Sequence, residues 1–482
     1  MTELTAWQQV SFYVRFTGEN FIPDTVNQTL LFPPSLHDWL PEGHLARFLL
    51  DVVSALDLSA IYKSYQDKDG RGQAAYAPEM MVRLLLYGYA KGVYSSRKIQ
   101  TRTFEDVAFR YLSGDQHPDH ATIAEFRKRH LEALSGLFTQ ALLLCAEAGL
   151  VKLGHVAIDG TKIKANASKH KAMSYKHMNE TEARLKQEID ALLAAAEKTD
   201  AEEDVQYGKD RHGDELPAEL QRRESRLQKI GEAKVALEQE AKEKAAQQRA
   251  EAKQKLAERE EEERRTGKKK GGRKPGPPDP DKASPEDTAQ RNFTDPESRI
   301  MPDGANKGSF VQGYNAQIAV DSASQVIVAA EVTQETNDKK QLLPMIALIA
   351  TNLEQKPEKV SADTGYFSEA NVTDESVKDV DLYVATGRDK HRDAVETSSD
   401  PPPPGASPKE AMREKLRTEA GRTVYKMRKA IVEPVFGQIK EQRGFRRFSL
   451  RGKENVSREW KLVCAVSNLL KLFRTGGVLE MA

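Results

Sequence analysis

Residues 155–160 read His-Val-Ala-Ile-Asp-Gly, so a short apolar run ends at the acidic residue Asp159. Residues 359–366 (Lys-Val-Ser-Ala-Asp-Thr-Gly-Tyr) repeat this arrangement around Asp363. Apolar runs of this length are typical of buried strands, and open α/β sheets bind ligands at the carboxyl ends of their strands. The two stretches therefore predict an α/β sheet with Asp159 and Asp363 at strand ends.

A third acidic residue, Glu433, opens a segment whose apolar residues have helical spacing (residues 432–439). Three carboxylates supply the oxygen ligands that a pair of Mg²⁺ ions needs for phosphoryl transfer. A basic surface beside them would bind phosphates. The alternative for each acid is structural, because aspartate in such a context is typical of a turn and glutamate of a solvated helix face. The basic residues around Glu433 are Arg428, Lys429, Lys440, Arg443, Arg446 and Arg447.

Together these stretches resemble the bacterial insertion-sequence transposases of the DDE class. The resemblance covers most of the chain outside residues 171–290, and it includes a helical leader at residues 76–94 and 104–130. The motifs that carry it are residues 155–168 (HVAIDGTKIKANAS), 291–301 (RNFTDPESRIM), 313–321 (GYNAQIAVD), 361–371 (SADTGYFSEAN) and 432–451 (VEPVFGQIKEQRGFRRFSLR).

The resemblance implies a DNA transposase with an RNase H-like catalytic core, which cleaves the ends of its element and transfers the freed strand to target DNA. It implies that Asp159, Asp363 and Glu433 are catalytic and hold two Mg²⁺ (or Mn²⁺) ions. The implied partner is double-stranded DNA, both element ends and target, bound by a homodimer. The expected DNA-binding residues are Arg428, Lys429, Lys440, Arg443, Arg446 and Arg447.

The segment around Glu433 departs from the family pattern in one respect. Many relatives carry Tyr seven and Arg four residues before the glutamate, and Lys seven residues after it. Lys440 matches this pattern, whereas Tyr425 and Arg428 keep their mutual spacing but lie one residue further from Glu433. Lys426 and Lys429 occupy the expected Tyr and Arg positions, so the segment keeps its positive charge.

Two other functions are compatible with the same residues. One is a nuclease on the same core that hydrolyses DNA and never joins it. The other is a non-catalytic DNA-binding derivative, against which the intact acidic trio argues. Strand joining on a supercoiled target would separate the first from a transposase.

Composition limits the class of protein. At 482 residues the chain has room for about two or three domains, and its 73 Lys+Arg balance 73 Asp+Glu. Net charge therefore gives no nucleic-acid signal, although a basic run at residues 268–274 fits either phosphate binding or a solvated linker. Cys145 and Cys464, both in apolar helical contexts, are expected to be buried free thiols in a reducing cytoplasm. We expect a cytoplasmic, nucleoid-associated protein with no membrane segment.

The pattern along the chain predicts an all-α N-terminal domain (residues 1–150), either a DNA-binding domain or a structural bundle. An RNase H-like domain follows, split into residues 151–172 and 291–476. Two apolar stripes within residues 173–265 predict an inserted coiled-coil hairpin, for self-association, for holding DNA ends together or as an inert spacer. Residues 266–290 predict a basic, Gly/Pro-rich linker.

Several local predictions are specific enough to compare with the structure. Two short strands are expected to meet at Asp159-Gly160, and Asn315 is expected to be a structural sheet residue or a DNA contact. A helix cap is expected at Thr122. One helix is predicted over residues 409–430, and another begins near Pro434, because proline suits a first turn or a kink.

Overall fold

A six-stranded mixed sheet forms the centre of the described part of the chain. The computed structural model describes residues 35–66, 74–207, 218–267, 276–303, 308–387 and 406–476. Strands β2 and β3 pair only with each other, and the remaining strands form the sheet. The described strands are β1 (Val156–Lys164), β2 (Ala172–Ser174), β3 (Gln290–Asn292), β4 (Arg299–Pro302), β5 (Phe310–Asp321), β6 (Ile327–Thr333), β7 (Lys359–Ala362) and β8 (Asp381–Val384).

The strand order confirms the predicted fold class. Strand β5 runs antiparallel to β1, β4 and β6, whereas β7 runs parallel to both β1 and β8. The order of the strands across the sheet is therefore β6-β5-β1-β7-β8, and the short β4 also pairs with β5. Three antiparallel strands followed by two parallel ones give the mixed RNase H-like sheet that the resemblance implied.

Strand β1 corrects the prediction of two strands that meet at Asp159-Gly160. It is one continuous strand, and its pairing with β5 runs without interruption from Val156 to Lys164. Gly160 marks a close approach inside the strand rather than a turn. A Cβ at this position would collide with Gln317 Nε2 and would lie 2.9 Å from Asn315 Oδ1.

The N-terminal region is helical, as predicted, but it does not form a separate core. Phe48 of this region packs against Phe473, with 5.3 Å between ring centroids, and Tyr94 packs against Phe445 at 5.0 Å. Its buried apolar residues belong to the same hydrophobic cluster as those of the sheet. The helices are α1 (Leu45–Ala55), α2 (Ser59–Gln66), α3 (Pro78–Ala90), α4 (Ser96–Glu105), α5 (Val107–Ser113), α6 (His120–Arg129) and α7 (Leu131–Glu147).

Two smaller predictions concern this region. Helix α6 is capped by Asp119, whose carboxylate accepts from the backbone N–H groups of Ala121 and Thr122, so the predicted cap at Thr122 is wrong by three residues. Cys145 and Cys464 are free and buried, as predicted. Burial raises the pKa of the Cys145 thiol to about 12. Both cysteines are therefore part of the hydrophobic core.

No helix in the described ranges has the length and hydropathy to cross a membrane.

Two long helices, α8 (Tyr175–Tyr207) and α9 (Ala218–Thr266), occupy the inserted segment and pack on each other. Leu185 of α8 and Ile230 of α9 belong to their small shared apolar cluster, and Arg223 Nε lies 3.0 Å from Glu188 Oε2 across the pair. Residues 208–217 of the predicted connection and the basic run at residues 268–274 lie outside the described residues.

The remaining helices cover the sheet. Helix α10 precedes β7, α11 follows it, and α12 to α14 complete the chain. Their bounds are α10 (Leu342–Leu353), α11 (Glu369–Thr373), α12 (Pro408–Arg417), α13 (Glu419–Gly437) and α14 (Lys453–Arg474).

Two boundary predictions for the C-terminal helices are wrong. The helix expected over residues 409–430 breaks at Thr418, whose side chain caps α13 by accepting from Gly421 N. Pro434 lies inside α13 rather than in a first turn. Proline lacks the N–H that would donate to the carbonyl of Ala430, and Gln325 Nε2 donates to that carbonyl instead, at 2.9 Å. A side chain from elsewhere in the fold thus makes an interior proline tolerable.

Candidate active site

Asp159 and Asp363 lie side by side at the centre of the sheet. The parallel pairing of β1 with β7 ends at Ile158 and Ala362, and the next residue along the chain is Asp159 in one case and Asp363 in the other. Neighbouring strands lie about 4.8 Å apart, and residues in register point to the same face. The topology therefore brings together two carboxylates that are far apart in the sequence.

Backbone N–H groups hold both carboxylates. Asp159 Oδ1 accepts from Gly160 N at 2.8 Å, and Asp363 Oδ1 accepts from Gly365 N at 2.8 Å. Burial raises the pKa of Asp159 to about 6; the negative charge of Asp363 acts in the same direction, and Arg428 and the Gly160 N–H oppose it. A site that raises the pKa of a carboxyl through burial and a like charge is arranged to receive a cation.

Arg428 supplies one such cation from within the chain. Its Nη1 lies 2.9 Å from Asp159 Oδ2, and its side chain is only 9% exposed. Burial acts to lower the pKa of Arg428, but the charges of Asp159, Tyr425 and Asp363 raise it overall. Arg428 was predicted to bind DNA from the surface. The structure instead places it inside the acidic site, where it neutralises Asp159.

Glu433 does not join the two aspartates. It lies on α13, about 140° around the helix axis from Arg428 at 3.6 residues per turn, and it is exposed. No hydrogen bond or ion pair of Glu433 occurs within the described ranges. Nor do the described residues contain a group of three His, Cys, Asp or Glu side chains suited to hold a metal ion. The structure thus assembles two members of the predicted trio and leaves the third on the flank of a helix.

The structure adds a carboxylate that the sequence analysis missed, Asp338. Its Oδ1 accepts from Asn315 Nδ2 at 2.6 Å and from Gln317 Nε2 at 2.7 Å, and it lies 3.8 Å from Lys162 Nζ. Of the two alternatives for Asn315, the structural one therefore fits these contacts. Tyr366 completes the group by donating its hydroxyl to Gln317 Oε1.

A sequence signal for this cluster existed. Asn315 and Gln317 are alternate residues of an otherwise apolar strand, so both amides point to the same face of the sheet. Buried amides need polar partners, and this requirement predicts a further polar residue above that face. The identity of that residue, Asp338, was not predictable, because it lies in the loop between β6 and α10.

The basic residues after Glu433 divide into two groups. Lys440 lies close to the acidic site, since its Nζ donates to Thr161 Oγ1 at 2.9 Å, and burial lowers its pKa. Arg446 and Arg447 are exposed, and their backbone lies beside the end of β1, where Lys164 N donates to Arg446 O at 3.2 Å. Lys164, Lys440, Arg446 and Arg447 are called the basic edge below. Lys429 is exposed on α13.

Arg443 differs from its neighbours. It is 7% exposed, and its guanidinium donates to Ser467 Oγ and to Val463 O. Burial lowers its pKa. Its own carbonyl accepts from Tyr94 Oη at 3.0 Å, so this residue joins the C-terminal segment to the N-terminal helices. The prediction that Arg443 grips DNA phosphates conflicts with this buried position, which gives the side chain a structural role.

Two protein families match the chain. A transposase domain of the DUF772 family matches residues 34–129, which include most of the N-terminal helices. A transposase DDE domain matches residues 388–473, which include Arg428, Glu433, Lys440 and most of α14. No significant match was found among curated proteins or among solved structures. The two domain matches, one at each end of the described chain, agree with the mixed sheet and its helical N-terminal region, and together they support an insertion-sequence transposase of the DDE class.

Proposed function

We propose that this transposase is a divalent-metal-dependent enzyme whose reaction centre lies at Asp159 and Asp363. The observation that carries the proposal is the placement of these two carboxylates side by side, next to the basic edge. The acidic pair suits metal ions, and the basic edge suits the phosphates of a DNA strand. Strand β1 connects the two features, since it carries Asp159 of the acidic pair and Lys164 of the basic edge.

The donor chemistry fits Mg²⁺ or Mn²⁺. Carboxylate oxygens are the ligands that these ions prefer, and the raised pKa of Asp159 reflects, after burial, the repulsion from Asp363 that a cation would relieve. Asp159 and Asp363 would hold the ions, with Glu433 as the third ligand. Ions held there would supply activation of the attacking oxygen and stabilisation of the leaving one. Glu433 would have to turn toward the pair from its exposed flank.

The protein residues have separate tasks in the proposed reaction. The basic edge binds the phosphates on either side of the cut, and Arg428 fixes the carboxylate of Asp159. Water attacks the phosphodiester at an element end, and the bond from phosphorus to the 3′ oxygen breaks. The freed 3′-hydroxyl then attacks a target phosphorus, forming a bond from its oxygen to that phosphorus. The target's own bond from phosphorus to its 3′ oxygen breaks, and the target 3′-hydroxyl leaves.

A single assay separates this function from its nearest rival, a nuclease that does not join DNA. The assay combines the purified protein, Mg²⁺, labelled DNA from the flanks of its gene and a supercoiled plasmid. Cleavage followed by covalent transfer of label to the plasmid supports the transposase. Cleavage without transfer supports the nuclease, and binding without cleavage supports the non-catalytic derivative.

We expect cleavage in Mg²⁺ or Mn²⁺ and none in Ca²⁺ or in EDTA. Ca²⁺ is larger and accepts looser, higher coordination, so it permits DNA binding without positioning the reacting oxygens. The measurement is product formation on a gel, with a mobility-shift assay in Ca²⁺ as the control for binding. Full cleavage in EDTA would refute the metal-dependent mechanism.

The basic edge gives a second test, in which Arg447→Ala is compared with Arg443→Met. Each lost phosphate contact should lower the slope of log affinity against log salt by about 0.9, so Arg447→Ala should flatten the salt dependence for every DNA sequence. Arg443→Met should leave the slope unchanged, because that guanidinium is buried. Binding is measured by fluorescence anisotropy at several salt concentrations. Equal slopes for Arg447→Ala and the parent would show that Arg447 does not touch DNA.

We further propose that the protein acts as a homodimer on DNA and that the hairpin of α8 and α9 contributes to its assembly. Arg291 and Arg299 both form ion pairs with Glu240 of α9, at 2.6 and 3.1 Å, and fasten the base of the hairpin beside β3 and β4. A hairpin fastened at its base has the shape of an arm that can reach a second protein molecule or a second DNA end.

A further inference from the structure

Lys162 has an ammonium group that is held by no described protein residue through a hydrogen bond. Its closest acidic partner is Asp338 Oδ1, at 3.8 Å, which is beyond the length of a hydrogen bond. No hydrogen bond of this ammonium occurs within the described ranges. The side chain is nevertheless only 16% exposed. A lysine ammonium carries three donors, and this one is not among the buried polar atoms that lack a partner, so it reaches the surface and its donors are open to a ligand.

The carboxylate of Asp338 is held in position without a hydrogen bond from Lys162. The carboxylate oxygen that faces Lys162 already accepts two short hydrogen bonds, from Asn315 and from Gln317. These amides fix the position of the carboxylate, which in turn fixes the region in which the ammonium lies. Lys440 provides a contrast, since its ammonium donates to Thr161 at 2.9 Å.

The surroundings of Lys162 indicate what the free donors are for. A Cβ at Gly365 would lie 3.0 Å from Asp363 Oδ1 and 3.3 Å from Asp338 Oδ2, so the two carboxylates are neighbours. The ammonium, 3.8 Å from Asp338, therefore lies near Asp363 of the acidic pair. Lys162 also lies on β1 between Asp159 and Lys164 of the basic edge. A phosphate that enters this site is repelled by the carboxylates, and a fixed cation with free donors offsets that repulsion.

We propose that Lys162 donates to a non-bridging oxygen of the phosphate that is cleaved, and that Asp338 is the positioning residue that holds the ammonium in place. This inference rests on the proposed reaction centre at Asp159 and Asp363. It assigns to β1 two tasks, since the same strand supplies a carboxylate through Asp159 and a phosphate contact through Lys162.

A purely structural role for Lys162 is the competing explanation. In that case the ammonium would only balance the charge of Asp338. The long separation and the two amide hydrogen bonds that Asp338 Oδ1 already accepts favour the phosphate contact. The two explanations differ in a measurable way, because only the phosphate contact makes the effect of Lys162 depend on the charge of one particular phosphate.

The experiment is a double-mutant cycle between Lys162 and the scissile phosphate. The cleavage position is first located with the unaltered protein, Mg²⁺ and DNA flanking the gene. Duplexes are then made with a normal phosphate or a neutral methylphosphonate at that position, and binding is measured in EDTA to prevent cleavage. A charge-assisted hydrogen bond is worth about 1.5–3 kcal/mol, so the parent should bind the normal duplex about 10- to 100-fold more tightly.

The variants give opposite expectations. Lys162→Met should bind the two duplexes within about threefold of each other, because the interaction is gone. Lys162→Arg should keep most of the preference, since it keeps the charge and the donors. A methylphosphonate placed ten nucleotides away is the matched control, and Lys162→Met should not change its effect. In Mg²⁺, Lys162→Met should raise KM by about 10- to 100-fold, because the contact is already made in the bound, uncleaved DNA.

Each result decides a separate question. If the unaltered protein cleaves and Lys162→Met keeps the full preference for the normal duplex, the phosphate contact is refuted and the proposed function stands. If Lys162→Met does not fold, Lys162→Arg is compared with the parent instead. A folded Lys162→Arg protein that no longer prefers the normal duplex over the methylphosphonate duplex would count against the contact. If the unaltered protein never cleaves, the proposed function fails and the inference falls with it.

Discussion

Replacing Asp159 or Asp363 by asparagine is expected to abolish DNA cleavage while leaving DNA binding largely intact. Asparagine keeps the shape of the side chain and removes the charge that would hold metal ions. Metal ions supply several kcal/mol of transition-state stabilisation, which corresponds to a loss of about 1,000-fold or more in rate. Binding depends mainly on the basic edge and should persist. The measurements are single-turnover cleavage and a mobility-shift assay on the same DNA.

Glu433→Gln is measured in the same experiment. It is also expected to abolish cleavage while leaving DNA binding largely intact. A matched control is Glu419→Gln, an exposed acid at the first residue of α13, which should cleave normally. If Glu433→Gln loses activity and Glu419→Gln keeps it, Glu433 is identified as the third ligand, although its side chain is exposed. Near-normal cleavage by any variant of Asp159, Asp363 or Glu433 would remove that residue from the reaction centre.

The largest effect on stability is expected at Trp460. This residue of α14 is fully buried, and its Nε1 donates to Gln317 O at 3.1 Å, on the strand that carries the Asn315 and Gln317 amides. Trp460→Ala removes the packed ring, leaves a cavity and frees that carbonyl, so unfolding should become easier by about 4 kcal/mol. Urea denaturation followed by circular dichroism measures the change.

Trp460→Phe is the control for this prediction. It keeps most of the ring volume and loses only the indole hydrogen bond and part of the contact area, so it should cost about 1–2 kcal/mol. Because Trp460 supports β5 beneath the acidic site, Trp460→Ala should also impair cleavage at temperatures where Trp460→Phe is active. Equal stabilities for the two variants would show that the ring does not hold α14 against the sheet.

Much of the fold was predictable from local sequence. Strands β5 to β8 and the N-terminal helices follow from apolar periodicity, and the two long helices of the insertion follow from their apolar stripes. The aspartate at the end of β7 was recognisable because the apolar run before it is short and bounded by Thr364 and Gly365. Beside these patterns, the motif resemblance was sufficient to indicate the transposase family, which the two domain matches support.

Local sequence was insufficient wherever the outcome depended on a partner far along the chain. Gly160 was interpreted as a turn residue, but it lies within a strand because Asn315 and Gln317 fill the space of its missing side chain. Pro434 was interpreted as a helix start, but it is interior because Gln325 serves the carbonyl that it leaves free. In both cases the known conformational preference of the residue was applied correctly. The local structure nevertheless differed, because a side chain from far along the chain makes the less usual conformation favourable.

The sequence by itself indicated the chemistry of this protein: an α/β sheet that carries two aspartates, and a basic C-terminal segment. Only the tertiary structure decided which of those charges meet. Arg428 and Asp159 are 269 residues apart and form a buried ion pair. Arg443 is buried whereas Arg447, four residues later, is exposed. Charge is a property of each residue, but burial and pairing depend on how strands and helices pack, and that is set by contacts across the whole chain.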